Sequence, residues 1–223
     1  MSVRDVAVIM PAHNAGRWIG AAIESVLDGA DRLAELVVTD DSSTDDTADI
    51  ARSYGDPVRV VSLTGGPYGQ AAGRNAAVAT TTSPYLVIMD ADDLWAAGRP
   101  DPRLAVLDAR PEVGVVSGAV APFTDDGPFG PVRPGPVAVA SITRRSVWDA
   151  LGGMDETRLH GEDIDYLLRV RDSGLEVVAV DEVTLHYRIR PDSLSRDRTA
   201  TNRGLLDAIH SSLQRRRSSR PGS

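Results

Sequence analysis

The sequence predicts an α/β fold in which a mostly parallel central sheet is flanked by helices, a single compact domain with two subregions. Three observations carry that prediction. Apolar runs at 6–10, 36–39, 58–63, 85–89 and 113–117 are short and rich in Val, Ile and Leu, as buried strands are. The segments between them have helical spacing, and strand–helix alternation implies a parallel sheet covered on both faces. Two of the strands run straight into acidic turns, at the carboxyl edge where open α/β sheets bind their ligands.

The elements follow in order. The first strand leads through Pro11-Ala12-His13-Asn14 into a helix over 18–27 that gathers Ile19, Ile23, Val26 and Leu27 on one face. A second helix over 44–54 is expected to use Ser43 or Thr44 as its cap, with Asp45 and Asp46 in its first turn. An Ala-rich helix over 70–80 and a short one over 102–109 complete a first subregion, residues 1–121. Residues 122–136 are rich in proline and glycine and read as a boundary loop. A second subregion, 137–198, holds a strand (137–142), helices over 145–151 and 162–173, strands over 176–180 and 183–189, and a polar loop over 190–198. In the remainder, 199–223, a helix over 205–213 precedes an Arg-rich tail, from 214 onward, that is expected to be disordered.

Composition removes several function classes. The net charge of −8 argues against a general nucleic-acid surface, which would be basic. All 24 basic residues are arginine, so Schiff-base chemistry and the phosphate lysines of P-loops and kinases are excluded. Cysteine is absent, which excludes thiolate nucleophiles and Cys-bearing zinc sites and permits a reducing, cytoplasmic setting. His13, His160, His186 and His210 are too scattered for a metalloprotease motif. No apolar run is long enough to span a bilayer, and the N-terminus lacks the pattern of a signal peptide. An anion would therefore be held by arginine, backbone amides or a metal ion.

The strongest chemical signal is the strand Leu86-Val87-Ile88-Met89 running into Asp90-Ala91-Asp92-Asp93. Like charges crowded at the end of an apolar strand repel one another unless a cation sits among them, and carboxylates one residue apart suit hard Mg²⁺ or Mn²⁺. A solvated acidic turn is the plainer alternative. In the second acidic turn, Asp40 and Asp41 precede the helix cap and can accept hydrogen bonds from a ribose or a base. No G-x-G-x-x-G is present, which disfavours a dinucleotide site. Arg74, in Gly73-Arg74-Asn75, is either a diphosphate partner or a surface ion pair. Glu162 and Asp163 follow His160-Gly161 at a helix start, where the dipole favours negative charge with or without a function. Trp95 and Trp148 fit core packing better than ring stacking.

Together these motifs resemble a family 2 glycosyltransferase with the nucleotide-sugar-binding GT-A fold. P-A-H-N at 11–14, D-D-S-S-T-D-D-T at 40–47, G-R-N at 73–75, D-A-D-D at 90–93 and G-E-D at 161–163 occur in family order across roughly residues 5–198. The resemblance implies that Pro11, Ala12, His13, Asn14, Asp40, Asp41, Arg74, Asn75, Asp90, Ala91, Asp92 and Arg190 bind the donor. Asp41 would read the base, with a UDP-sugar favoured. Asp92 and Asp93 would hold Mn²⁺ or Mg²⁺, with His186 as a further candidate ligand or a structural imidazole. Asp163 is similar to the catalytic base and Glu162 to its partner, which implies single displacement with inversion onto an acceptor hydroxyl. Two departures stand out: Ser42 where the family commonly has glycine, and Arg190 where its Y-R-x-H-P-x-S lid has histidine. A homodimer is left open. Three rivals were weighed: a non-catalytic nucleotide-sugar-binding module, a dehalogenase-type phosphatase using Asp90, and a sugar-phosphate nucleotidyltransferase. The last two normally use a lysine that this chain lacks.

Overall fold

The computed structural model describes residues 4–190 and 198–218. Its strands are β1 (Val6–Ala12), β2 (Leu33–Asp41), β3 (Val58–Leu63), β4 (Tyr85–Ile88), β5 (Leu94–Trp95), β6 (Val113–Thr124), β7 (Gly127–Pro128), β8 (Ser141–Arg144) and β9 (Glu176–Arg188). The helices are α1 (Gly16–Gly29), α2 (Thr47–Ser53), α3 (Gln70–Ala79), α4 (Pro102–Ala109), α5 (Arg145–Leu151), α6 (Glu162–Asp172) and α7 (Arg198–Ser218).

All strands join one sheet in the order β3-β2-β1-β4-β8-β6-β9-β5, with β7 on β6. β3, β2, β1 and β4 run parallel, as do β6 and β9, while β8 lies antiparallel between β4 and β6. β1 shows why: every residue from Val6 to Ala12 is buried. Val6, Val8 and Met10 face one layer with Ile19, Ile23 and Val26 of α1, while Ala7 and Ile9 face the other with Ala77, Trp148 and Tyr166. A strand covered on both faces needs a continuous apolar run, which this one has. The carboxyl ends of β1, β2 and β4 therefore open on the same edge.

Several expectations are corrected. The helix expected from 44 starts at Thr47, because Asp45 folds back to accept from the Thr47 N–H and hydroxyl and from the Gly16 N–H at 2.9 Å. The boundary loop begins as sheet: β6 continues through Thr124, turns at Asp125-Asp126 into β7, and a bridge joins Val120 to Arg133. The strand expected over 137–142 begins as a 3₁₀ turn (Ala138–Ala140) before β8. The two strands expected from 176 to 189 are one, with register shifts against β6 around Ser117 and Ala119 absorbing the polar Asp181-Glu182 step. α7 runs on to Ser218 through residues expected to be a disordered tail. Trp95 and Trp148 are both buried. The lid segment from Pro191 to Asp197 lies outside the described residues.

Candidate functional site

Because β4 is buried, the residues after Met89 are the first that can meet solvent, and three carboxylates meet there. Asp90, Asp92 and Asp93 each place an oxygen within 4.8 Å of the others. Asp93 is fully buried. Its Oδ1 accepts from the Arg188 N–H at 2.8 Å, whereas Oδ2 is buried with no hydrogen-bond partner. Burial, followed by the charges of Asp90 and Asp92, pushes the Asp93 carboxyl well above the usual range. Burial and Asp90 push Asp92 up as well, against the pull of Arg190. An oxygen-only cluster in which Asp92 and Asp93 resist ionising, with one buried oxygen unmatched, fits a hard divalent cation.

The end of β9 and the residues just after it supply the cluster's counter-charges. Arg188 donates from Nε to the Asp92 carbonyl at 2.8 Å. The Arg190 Nε lies 2.7 Å from Asp92 Oδ2, and its guanidinium lies 4.3 Å from the ring centroid of Trp18 on α1. His186 pairs with Leu94 immediately after the acidic turn, but its ring does not join the carboxylates. Strand alternation buries Leu185 and leaves His186 exposed, with its ring edge-on to Phe123 at 6.3 Å, and among the described residues the carboxylate group includes no histidine. The ligand role expected there is corrected accordingly.

The G-R-N motif builds the wall between this cluster and α6. A Cβ on Gly73 would sit 3.0 Å from that of Pro11, so the missing side chain lets α3 lie close to the end of β1 without crowding. Arg74 is 1% exposed, and its two terminal nitrogens reach Asp90 Oδ1 at 2.9 Å and Glu162 Oε1 at 3.0 Å, with Gln70 Oε1 also on Nη2. Burial alone would lower its pKa, but Asp90, Glu162 and Asp163 outweigh it and raise it. Both ends of the guanidinium are held by carboxylates, so Arg74 is a buried bridge and not the surface ion pair of the alternative reading. Asn75 is likewise engaged. It donates to the Met154 carbonyl and to Glu156 and accepts from the Met154 N–H, all within 2.9 Å, tethering the turn that leads to α6.

That turn ends at Gly161, which has φ +76° and packs on Gly204 of α7; a Cβ there would fall 2.7 Å from the Gly204 oxygen. α6 then presents Glu162, buried, and Asp163, half-buried. Burial raises the Glu162 pKa, with Arg74 pulling against it. Asp163 Oδ1 accepts from the Ile164 N–H at 2.8 Å.

The first two loops are laced together. His13 Nδ1 lies 2.7 Å from the Asp41 carbonyl, and Asn14 Oδ1 accepts from the Thr44 N–H at 2.8 Å. Asp40 Oδ1 accepts from the Ser43 N–H at 3.2 Å. The Asp41 carboxylate accepts from the Tyr68 and Gly69 N–H groups at 2.8–3.0 Å, leaving lone pairs for a further donor. Pro11 and Ala12 close β1 beside them, and Ala91 is buried between the acids. Sequence reasoning missed Trp18, Gln70 and Met154 in this region. The aromatic at the start of α1 and the glutamine one turn before Arg74 were the available signals.

Comparison with known proteins agrees with this architecture. Residues 7–157 match the family described as Glycosyl transferase family 2, and the chain belongs to that family. Its fold is GT-A. The Bacillus subtilis (strain 168) protein EpsE is 30% identical over 207 residues, 84% of this chain and 73% of EpsE. The Escherichia coli protein WfaP, named as a UDP-Glc:alpha-D-GlcNAc-diphosphoundecaprenol beta-1,3-glucosyltransferase, is 34% identical over 90 residues, 40% of this chain and 36% of WfaP. The Rhizobium meliloti (strain 1021) succinoglycan biosynthesis protein ExoU is 42% identical over 98 residues, 43% of this chain, so the chain spans only 28% of ExoU. Among solved structures, the mannosyltransferase PcManGT from Pyrobaculum calidifontis, in complex with GDP-Man and Mn²⁺, superimposes with TM-score 0.74 at 21% identity, covering 95% of this chain and 65% of that one. TarS from S. aureus in complex with UDP gives 0.69 at 17% identity, covering 91% and 66%.

Proposed function

We propose that this chain transfers a glycosyl group from a nucleotide-diphosphate sugar to an acceptor hydroxyl by single displacement with inversion. One observation carries the reading: buried Arg74 joins Asp90 of the acidic turn to Glu162 of the G-E-D motif, so a cation-type cluster and the start of the G-E-D helix lie side by side. A non-catalytic binding module has no need of that linkage.

Asp92 and Asp93 would hold Mn²⁺ or Mg²⁺, with Asp90 beside them. The bound ion would stabilise the charge that develops on the leaving diphosphate. The chain's own residues do the rest. The loops at 11–14 and 40–47 cradle the nucleoside, with Asp40 and Asp41 toward ribose and base. Arg190 stands where it can exchange Asp92 for a phosphate oxygen, since guanidinium pairs with either anion. Asp163, at the open start of α6, takes the acceptor proton as the hydroxyl attacks from the face opposite the leaving group. Glu162 is held by Arg74 and orients the helix start. UDP is the favoured nucleotide, in keeping with the UDP-Glc of WfaP and the UDP complex of TarS, while PcManGT is in complex with GDP-Man.

The test is nucleotide release from UDP- and GDP-sugars with and without Mn²⁺. Asp163→Asn preserves shape and removes the base, so turnover should fall by about 10²–10⁴-fold while nucleotide affinity stays near that of the unaltered chain. Undiminished turnover in Asp163→Asn, or in excess EDTA, would overturn the assignment of the base or of the cation respectively.

A further inference from the structure

α7 has two unlike faces. Gly204, Ala208 and Ser212 are buried, and Ser212 and Arg215 bond Asp172 of α6. On the opposite side Leu206, Ile209 and Leu213 recur at i, i+3 and i+7 and are 65%, 40% and 50% exposed. At 3.6 residues per turn this stripe lies between exposed Arg203, His210 and Arg217 on one side and Arg216 on the other. The helix carries five arginines and a single aspartate in a chain whose net charge is −8. Arg215 and Arg216 pair with Asp172, so Arg203 and Arg217 are the arginines that set positive charge beside this exposed apolar seam.

From this geometry we infer that α7 is an interfacial helix that lays its Leu206-Ile209-Leu213 stripe on an anionic lipid surface. Apolar side chains enter the headgroup boundary while flanking arginines meet lipid phosphates, and each basic residue near such a surface adds to the attraction. A protein partner fits less well. A stable protein interface buries roughly 1,200 Å² or more, from about 20–30 residues a side, and its centre is depleted in charge. A seam one side chain wide and edged with arginine has neither property. No described helix is long and apolar enough to cross a membrane, so this contact would be peripheral.

The placement bears on the site. Gly204 of α7 packs on the turn at His160-Gly161, and a Cβ on Gly204 would sit 2.5 Å from the His160 oxygen. That turn carries Leu159, 76% exposed, and leads directly into Glu162 and Asp163. A surface that holds α7 therefore also holds the entrance to the G-E-D helix.

The experiment is co-sedimentation with phosphatidylcholine vesicles, alone and with about 30 mol% phosphatidylglycerol, at low and high salt. The unaltered chain should bind the anionic vesicles at least tenfold more tightly, and salt should weaken that binding. Changing Leu206, Ile209 and Leu213 together to serine should cut binding to anionic vesicles at least tenfold. Arg203→Gln with Arg217→Gln should remove most of the salt dependence. Because the chain has no cysteine, Leu206→Cys and Asp207→Cys give single labelling sites, which keeps the test valid if the serine variant folds poorly. An environment-sensitive dye at 206 should shift to the blue on adding anionic vesicles, and one at 207 should shift less. No binding by the unaltered chain, equal shifts at both positions, or a self-association lost in the serine variant without any lipid effect would overturn the inference. Nucleotide release from a sugar nucleotide in the absence of vesicles reads the transferase proposal separately, so either can fail alone.

Discussion

Ser42 follows the two acids that close β2 and sits at φ +60°, where a side chain is strained and glycine is not. The serine hydroxyl makes two bonds that glycine could not. It donates to the Leu63 carbonyl at 2.9 Å and accepts from the Gly66 N–H at 3.0 Å, tying the end of β2 to the loop that feeds Tyr68 and Gly69 to Asp41. Ser42→Ala keeps the strain and loses both bonds, so unfolding free energy should fall by about 1–3 kcal/mol in denaturant titration. Arg74 is the other residue whose role only the fold discloses. Lysine at 74 would keep the charge but is a single point that cannot span Asp90 and Glu162 together. Arg74→Lys should therefore leave a folded protein whose nucleotide-release kcat/KM is about 10–100-fold lower, the usual range for residues that orient a metal or catalytic shell. Unchanged kcat/KM would show that the bridge is only structural.

Among the elements, those governed by local rules were legible in the sequence. α4 begins at Pro102 with Asp101 capping the Arg103 N–H, and β3, α4 and α5 fall where periodicity places them. Those governed by partners were not. β6 and β9 lengthen because each lends the other a parallel edge, a long-range fact that no window of residues contains. The site divides the same way: Asp90, Asp92 and Asp93 announce themselves at a strand end, whereas the inward turn of Arg74 and the outward turn of His186 depend on neighbours distant in sequence. The same kind of neighbour holds α7. Burial would raise the Asp172 carboxyl, but Arg216, Arg215 and Ser212 together hold it below its usual value. A lowered folded pKa gives stability that is present above the unfolded value of about 3.9 and is lost as pH falls through the folded one. Protection factors in α7, referred to the intrinsic exchange rate at each pH, should thus fall below about pH 4, and Asp172→Asn should lower them already at neutral pH, by an amount matching about 1–3 kcal/mol. Identical α7 protection in Asp172→Asn would mean that packing alone holds the helix.

At the scale of the whole molecule, one sheet serves two layers, and a second buried arginine joins parts of it that are remote in sequence. Arg103 and Asp101 are each 1% exposed and pair at 2.6 Å. Arg103 also donates to the Ala140 carbonyl at 2.9 Å and lies 4.9 Å from the Trp95 ring centroid, while the Asp101 N–H reaches Asp31 at 3.2 Å. The pair therefore links the end of α1, β5, α4 and the approach to β8. Taking both charges out of water costs nearly what their attraction returns, so the pair adds little net stability, but removing one partner strands the other. Asp101→Asn should destabilise the fold by about 3–5 kcal/mol. For a domain of this size that is a fall in Tm of roughly 6–20 °C. Replacing both together, Asp101→Leu with Arg103→Met, should restore much of the loss, because no charge is then left buried alone. Calorimetry on the two variants decides the matter: a double variant no more stable than Asp101→Asn would mean that the hydrogen bonds to Ala140 and the Trp95 contact, rather than charge compensation, hold these segments together.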